Sequence, residues 1–300
     1  MPCRRGSAQL RRSRNRRGPA ALRLLQEVAR PELLTGRATS SPTAQATSSP
    51  RPEATPPPAI GPRIRAFVDL HCHTSASFDS LARPAAVARA AAARGLTHLA
   101  ITDHERIDGA LSARAAAPDG LTIIVGEEIR TRDGDLIGLF LDRAIPPGLS
   151  AEETIAAVRE QGGVVGMPHP FDRLRGSLAR GQADDRLATL AGSVDFIEAW
   201  NARLLLGNGN ARAAALAFAA GVPGVAVSDA HTVIEVGVAS TILDGDPSTP
   251  EGLRDALAGD LVLRLGRASA YVRLFTPAAK LVQRLRRHGR IRATGASSAR

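Results

Sequence analysis

From Arg65 onward, short apolar runs alternate with amphipathic, alanine-rich stretches, the rhythm of repeated strand and helix units. Seven runs read as strands, at 66–70, 97–102, 121–126, 136–141, 164–167, 194–199 and 222–227, with 239–243 as a further candidate. Helices are clearest at 84–94, with Pro84 in the first turn, at 151–161, and at 211–220, which stops at Gly221; 250–258 reads as another. Seven such units in a row predict an α/β fold whose parallel sheet closes into a barrel.

Upstream, the periodic pattern is lost. Residues 37–62 are mostly Ser, Thr, Ala and Pro and end in Pro56-Pro57-Pro58, a composition that buries too little apolar surface to offset ordering entropy. We therefore expect 1–62 to be a disordered basic extension, with at most a short helix at 20–34. The folded domain spans 63–279, and 280–300 is a basic tail that begins as an amphipathic helix.

The formal charge of +10 suggests nucleic acid until it is divided along the chain: 1–62 carry +8, 280–300 carry +7, and 63–279 carry −5. Arg-rich ends attract nucleic acid or anionic lipid electrostatically, but solvated tails are the favoured reading. The longest uncharged run, 213–228, is interrupted by Pro223 and is shorter than the roughly 20 residues of a membrane-spanning helix. The apolar stretch 20–34 is broken by Arg23, Glu27, Arg30 and Glu32, so no export leader is expected. Only Cys3 and Cys72 are present, which leaves no disulfide framework and fits a reducing, cytoplasmic setting.

Chemistry enters at the strand ends. Five of the proposed strands finish in metal-binding residue types: His71 and His73, Asp103 and His104, Glu127 and Glu128, His169, and Asp229 with His231. In a barrel of this class the C-terminal strand ends converge on one face, so distant residues become neighbours. Imidazole together with carboxylate suits Zn, Mn or Fe better than Mg or Ca. Cys72 alternates away from its flanking histidines and reads as a small buried side chain. His98, inside the second strand, and His288, in the tail, read as structural or exposed.

The segments Asp69-Leu70-His71-Cys72-His73-Thr74, Ile101-Thr102-Asp103-His104, Gly126-Glu127-Glu128-Ile129, Pro168-His169-Pro170-Phe171 and Ser228-Asp229-Ala230-His231 resemble, in order and spacing, the PHP (polymerase and histidinol phosphatase) family. The likeness covers roughly 66–240, and Glu198-Ala199-Trp200-Asn201-Ala202-Arg203 is similar to a subgroup of stand-alone PHP proteins. It implies a distorted (β/α)7 barrel, TIM-like, holding two or three divalent ions. By this resemblance His71, His73, Glu128 and Asp229 would hold the first ion. Glu128 would bridge to a second with His169, and Asp79, His104 and His231 would hold a third. Two departures stand out: Asp135 occupies the place of a family histidine on strand four, and Asp79 comes one residue later than in many members. Glu128 aligns with the family glutamate, leaving Glu127 as a surface or supporting carboxylate.

Such a site implies a phosphoesterase in which a metal-activated hydroxide attacks a phosphomonoester or an (oligo)nucleotide phosphate. Arg203 is the candidate guanidinium for the developing charge, with Arg173 or Arg175 as substitutes; His231 or His169 would donate a proton to the leaving group; Asp103 would orient a histidine, and Asn201 would touch substrate. The alternatives are an amidohydrolase-type hydrolase and a non-catalytic nucleic-acid-binding protein on the same barrel.

Overall fold

The computed structural model describes residues 64–172, 176–180, 183–269, 271–286 and 291. The expected extension at 1–62, most of the basic tail, and Arg173, Arg175 and His288 lie outside the described residues.

The chain runs β1 (Arg65–Asp69), α1 (Pro84–Ala93), β2 (His98–Ile101), α2 (Asp108–Ala115), β3 (Thr122–Arg130), β4 (Asp135–Leu139), α3 (Ala151–Glu160) and β5 (Val164–Met167). It continues with α4 (Asp184–Ala191), β6 (Phe196–Asn201), α5 (Gly209–Ala220), β7 (Gly224–Val227), β8 (Ser240–Asp244), α6 (Pro250–Leu257), β9 (Leu261–Arg264) and α7 (Val272–Leu285). Local chemistry sets several boundaries. Ser150 and Glu153 form a reciprocal capping box on α3, Pro84 and Pro250 start α1 and α6, and Gly221 ends α5 in the left-handed region.

One sheet links the strands in the order β7-β6-β5-β4-β3-β2-β1-β8-β9. The expected barrel is present, with one correction to its direction. Strands β1, β2 and β3 are parallel, as are β5, β6 and β7, but β4 is antiparallel to both β3 and β5. The cause is a tight turn: Thr131 Oγ1 donates to Gly134 O, and the Thr131 amide donates to the same carbonyl. A connection this short joins antiparallel strands, because a parallel crossover needs a dozen residues or more.

At one rim the barrel closes through the chain just beyond the ends of β1 and β7. Cys72 bridges Ala230, the Asp229 amide donates to His71 O, and the His73 amide donates to Ala230 O. Away from that rim, β8 and β9 extend the sheet from β1 in antiparallel fashion.

Alternation divides the core in two. Val68, Ile124, Ile137, Leu139, Val164, Phe196 and Val225 fill the barrel, whereas Ile123, Val125, Val165, Met167 and Ile197 pack outward with α1, α2 and α3 residues. Glu128 and Asp135 share the parity of the barrel-filling residues, and Glu127 shares that of the outward ones. Among the described residues no helix is long and apolar enough to cross a membrane.

Candidate metal centre

Strand ends and loops bring nine acid and imidazole side chains to the closed rim. His71, His73 and Asp79 follow β1, His104 follows β2, Glu128 lies in β3, Asp135 opens β4, His169 follows β5, and Asp229 and His231 follow β7. The reversal of β4 is what puts Asp135 here, because the start of an antiparallel strand meets the ends of its neighbours. Eight of the nine are buried, and the His104 side chain is 9 % exposed.

Eight of the nine fall into three overlapping groups: His73, Asp79, His104 and His231; His71, His73 and Glu128; and Glu128, Asp135 and His169, with Asp229 alongside the second. His71 Nε2 and His73 Nε2 stand 3.0 Å apart. Glu128 Oε2 lies 3.4 and 3.3 Å from these two nitrogens, and Asp229 Oδ1 lies 3.6 and 3.5 Å from them. His104 Nδ1 is 3.2 Å from Glu128 Oε2, His169 Nε2 is 3.0 Å from Glu128 Oε1, and Asp79 Oδ2 is 3.5 and 3.3 Å from His104 Nε2 and His231 Nε2.

These spacings fit ligands of shared cations. Tetrahedral bonds of about 2.0–2.1 Å set neighbouring ligand atoms about 3.3 Å apart. The imidazole protons agree. His71 Nδ1 donates to Glu198 Oε1 at 2.6 Å, His73 Nδ1 to Ser77 Oγ at 3.1 Å, and His231 Nδ1 to Asp229 O at 2.9 Å. Each donation leaves the Nε2 lone pair facing the cluster, the arrangement that metal-ligating histidines adopt. Among the described residues, Asp79 Oδ1 and His169 Nδ1 are buried without a hydrogen-bond partner. Gly176 faces the Asp135 carboxylate so closely that a Cβ there would overlap it.

Charge tells the same story. Burial opposes ionisation of Glu128 and Asp79, but the surrounding imidazoles outweigh it, His104 and His71 for the first and His231 and His104 for the second, and hold both carboxyls well below their usual range. Burial pushes the His71 imidazole down, yet Glu198 and Glu128 more than reverse this and raise it to about 10. Burial lowers His73, and burial together with the Arg203 guanidinium holds His231 well below the ordinary imidazole value, against the pull of Asp79. The pocket therefore favours positive charge at its centre, met by a proton on His71 or by cations.

A second layer of residues holds the nine. Glu198 is buried in β6; its Oε2 accepts from the His169 amide at 2.9 Å and from Asn201 Nδ2 at 2.8 Å, while its Oε1 orients His71. Asp103 accepts from the Thr74 amide, the Thr74 hydroxyl and Ser77 Oγ, so it orients His73 through Ser77. Asp69 accepts from the Ser228 and Gly237 amides, tying the end of β1 to the loops beyond β7, and burial raises its carboxyl to about 6. Glu235 accepts from the His231 amide and the Thr232 hydroxyl. His169 and Asp229 adopt φ of 25° and 52°, left-handed backbone that non-glycine residues enter at a cost of order 1–3 kcal/mol and that clusters at functional sites.

Several expectations change. Glu127 is neither at the surface nor beside the donors: it points outward from β3 into the protein, where Oε2 accepts from the Ile145 amide. Burial, with Glu105 nearby, raises it to about 8. Glu127 and Glu128 sit within β3 rather than after it, since the strand continues through Gly126 to Arg130. Asn201 is turned inward, donating to Glu198 and Asp229 Oδ2 and accepting from the Arg203 amide. Arg203 is 11 % exposed at the side chain, donates to Thr276 Oγ1, and lies 3.5 Å from Glu235 Oε1. His73 belongs to the Asp79 group as well as to the His71 group. Cys72 is buried, as its alternation implied, and His98 contacts Thr97 and Ser248.

The PHP domain model matches residues 69–201, and the PHP-associated model matches 207–259. An uncharacterized protein of Methanocaldococcus jannaschii is 37% identical over 145 residues, 45% of this chain and 81% of that protein. The 5'-3' exoribonuclease of Haemophilus influenzae is 33% identical over 127 residues, 38% of this chain and 46% of that protein. Among solved structures, a two-domain protein from Bacteroides vulgatus, described as containing a predicted PHP-like metal-dependent phosphoesterase, superposes with a TM-score of 0.56 at 19% identity, over 73% of this chain and 70% of its own. The barrel, the converging acid and imidazole residues and the two matched segments lead to one assignment: the chain belongs to the PHP family.

Proposed function

We propose that this chain is a metal-dependent phosphoesterase, with a phosphomonoester or an (oligo)nucleotide phosphate as substrate and two or three Mn, Zn or Fe ions as cofactor. The observation that carries the reading is that Glu128 is shared between adjoining donor groups, with Oε2 toward His71 and His73 and Oε1 toward His169. Shared ligands place neighbouring cations close together, and paired cations suit phosphoryl transfer. The exoribonuclease relative adds a phosphodiester to the candidate substrates.

In this reading His71, His73, Glu128 and Asp229 hold one cation, Glu128, Asp135 and His169 a second, and Asp79, His104 and His231 a third. Divalent ions there would lower the pKa of a water towards about 7 and draw charge from the phosphoryl oxygens. The chain's own residues prepare the site. Glu198 and Ser77 fix the tautomers of His71 and His73, and Asn201 holds Asp229 and Glu198 in register. His231 and His169 each aim Nε2 at a carboxylate of the cluster, so the proposal makes them ligands in place of the expected proton donors. Arg203, held by Glu235 and Thr276 beside His231, supplies fixed positive charge at the edge of the site.

The test is metal reconstitution of the chelated full chain with Mn, Zn or Fe, elemental analysis, and assay against an aryl phosphate, nucleoside bisphosphates, short oligonucleotides and a panel of amides. Hydrolysis of at least one phosphoester is expected, with His71→Ala and Asp229→Ala losing both bound metal and activity. Full activity of either variant at unchanged metal content would sink the assignment. Amide hydrolysis without phosphoester hydrolysis would make the protein an amidohydrolase, and salt-dependent nucleic-acid binding with no turnover would make it a binding protein.

A further inference from the structure

A cavity of about 310 Å³ opens directly beside the donor cluster, and Asp79 and His231 belong to both. A ligand that engages a cation held by Asp79 and His231 can therefore extend its remainder into this cavity. The remaining walls are apolar: Leu81 from the loop after β1, Val233 and Ile234 from the loop after β7, and Phe275 from α7. All four are exposed, Ile234 at 61% and Phe275 at 57%. Two threonines also line it, but their hydroxyls are engaged, Thr232 with Glu235 and Thr276 with Arg203. Away from Asp79 and His231, the walls thus offer a ligand mainly carbon.

The wall contributed by α7 is fixed in place. Gln283, buried on that helix, donates through Nε2 to the carbonyls of Ser75, Ser77 and Ser80, the loop that carries Asp79. Both family-matched segments end before α7 begins, so this wall is a feature of the chain beyond its shared domain. A volume near 300 Å³ is at the lower end for small-molecule sites, which are mostly apolar and concave with a few convergent polar groups. Here the convergent polar groups are those of the donor cluster.

We propose that this cavity is the subsite for the organic group of the substrate, and that it takes a flat, apolar aromatic ring attached to the phosphate. The proposal rests on the phosphoesterase reading for the position of the phosphate. It narrows the substrate from phosphate esters in general to those of ring-bearing alcohols, with Phe275 and Ile234 as the specificity-determining residues.

The test is calorimetric binding of phenylphosphonate and methylphosphonate, which carry no ester to hydrolyse, to the metal-reconstituted full chain. Burying a phenyl group predicts binding about tenfold to a hundredfold tighter for phenylphosphonate. In Phe275→Ala and Ile234→Ser, both at exposed positions, the ratio should fall severalfold at unchanged metal content. A purine nucleoside monophosphate, compared with the base-free sugar phosphate, separates a ring carried on a sugar from one attached directly. A wild-type ratio near one for both comparisons, or a ratio that neither substitution lowers, overturns the subsite. A change of oligomeric state in Phe275→Ala with no change of ratio assigns the patch to a second copy of the chain and likewise overturns it. If the ring preference holds in binding while no phosphoester is turned over, the phosphoesterase reading fails and the subsite stands.

Discussion

Glu198 positions three groups at the rim at once, because its two oxygens reach His71, the His169 amide and Asn201. Glu198→Gln keeps the shape but removes the charge and one acceptor oxygen. Partners of ligating histidines typically contribute 10–100-fold to metal affinity or activity. Glu198→Gln should accordingly weaken metal binding by about tenfold or more, read by competition with a chelating dye; affinity equal to wild type would remove Glu198 from the site. Arg203 makes a separate prediction. If its charge serves the phosphoryl group, Arg203→Ala should lower kcat/KM by about a hundredfold, the scale of one lost oxyanion donor, at unchanged metal content. Loss of metal in step with activity would instead make Arg203 a support for Glu235.

Seven of the nine donors were legible as residue types at strand ends, and Asp79 and Asp135 only through the family resemblance; of their supports, Asp103 alone was anticipated as orienting a histidine. Glu198 shares an otherwise apolar run with Asp195, and beyond the family likeness of its segment the one signal of its role was that burial of a carboxylate demands a partner. Glu235 and Gln283 lie in segments whose pattern says nothing of what they approach. At the level of elements, the strands' apolar runs were visible, but alternation is blind to direction. A strand reads the same parallel or antiparallel, so the reversal of β4 had to come from the short link between Ile129 and Leu136. The helices α2 and α4 were missed because each has only eight residues and neither starts with the proline that marks α6, a helix of the same length; β9 was missed because only alternate residues are partly covered.

The β3–β4 turn supplies the prediction at that scale. Gly134 has φ of 145°, and a Cβ there would stand 2.7–2.9 Å from the backbone of Leu178 and Ser177. Backbone that only glycine tolerates, closed in by other backbone, leaves no side chain to give way. Gly134→Ala should destabilise the fold by about 1–3 kcal/mol and disturb Asp135, its immediate neighbour. A denaturation midpoint equal to wild type would contradict this. A stable variant with weakened metal binding would locate the damage at Asp135 alone.

For the molecule as a whole, the site is also the seam of the barrel. Strands β1 and β7 meet through Cys72 and Ala230, and the residues on either side of that bridge, His71, His73, Asp229 and His231, belong to the donor cluster. Cations held there would join segments far apart in the chain at the place where the sheet closes, while offsetting buried carboxylates that otherwise repel one another. Because an unfolded chain cannot assemble this donor set, binding stabilises the native state by mass action, about 2.7 kcal/mol at a hundredfold excess over Kd. For a domain of this size each kcal/mol moves the melting temperature by roughly 2–4 °C. Adding Mn or Zn to chelated protein should therefore raise Tm by about 5–10 °C, with one cooperative transition in calorimetry. Asp229→Ala, which removes a carboxylate at the seam, should show less than half of that increment. A Tm indifferent to cations in the wild type would mean that the seam holds without them, and would detach the fold's stability from the site.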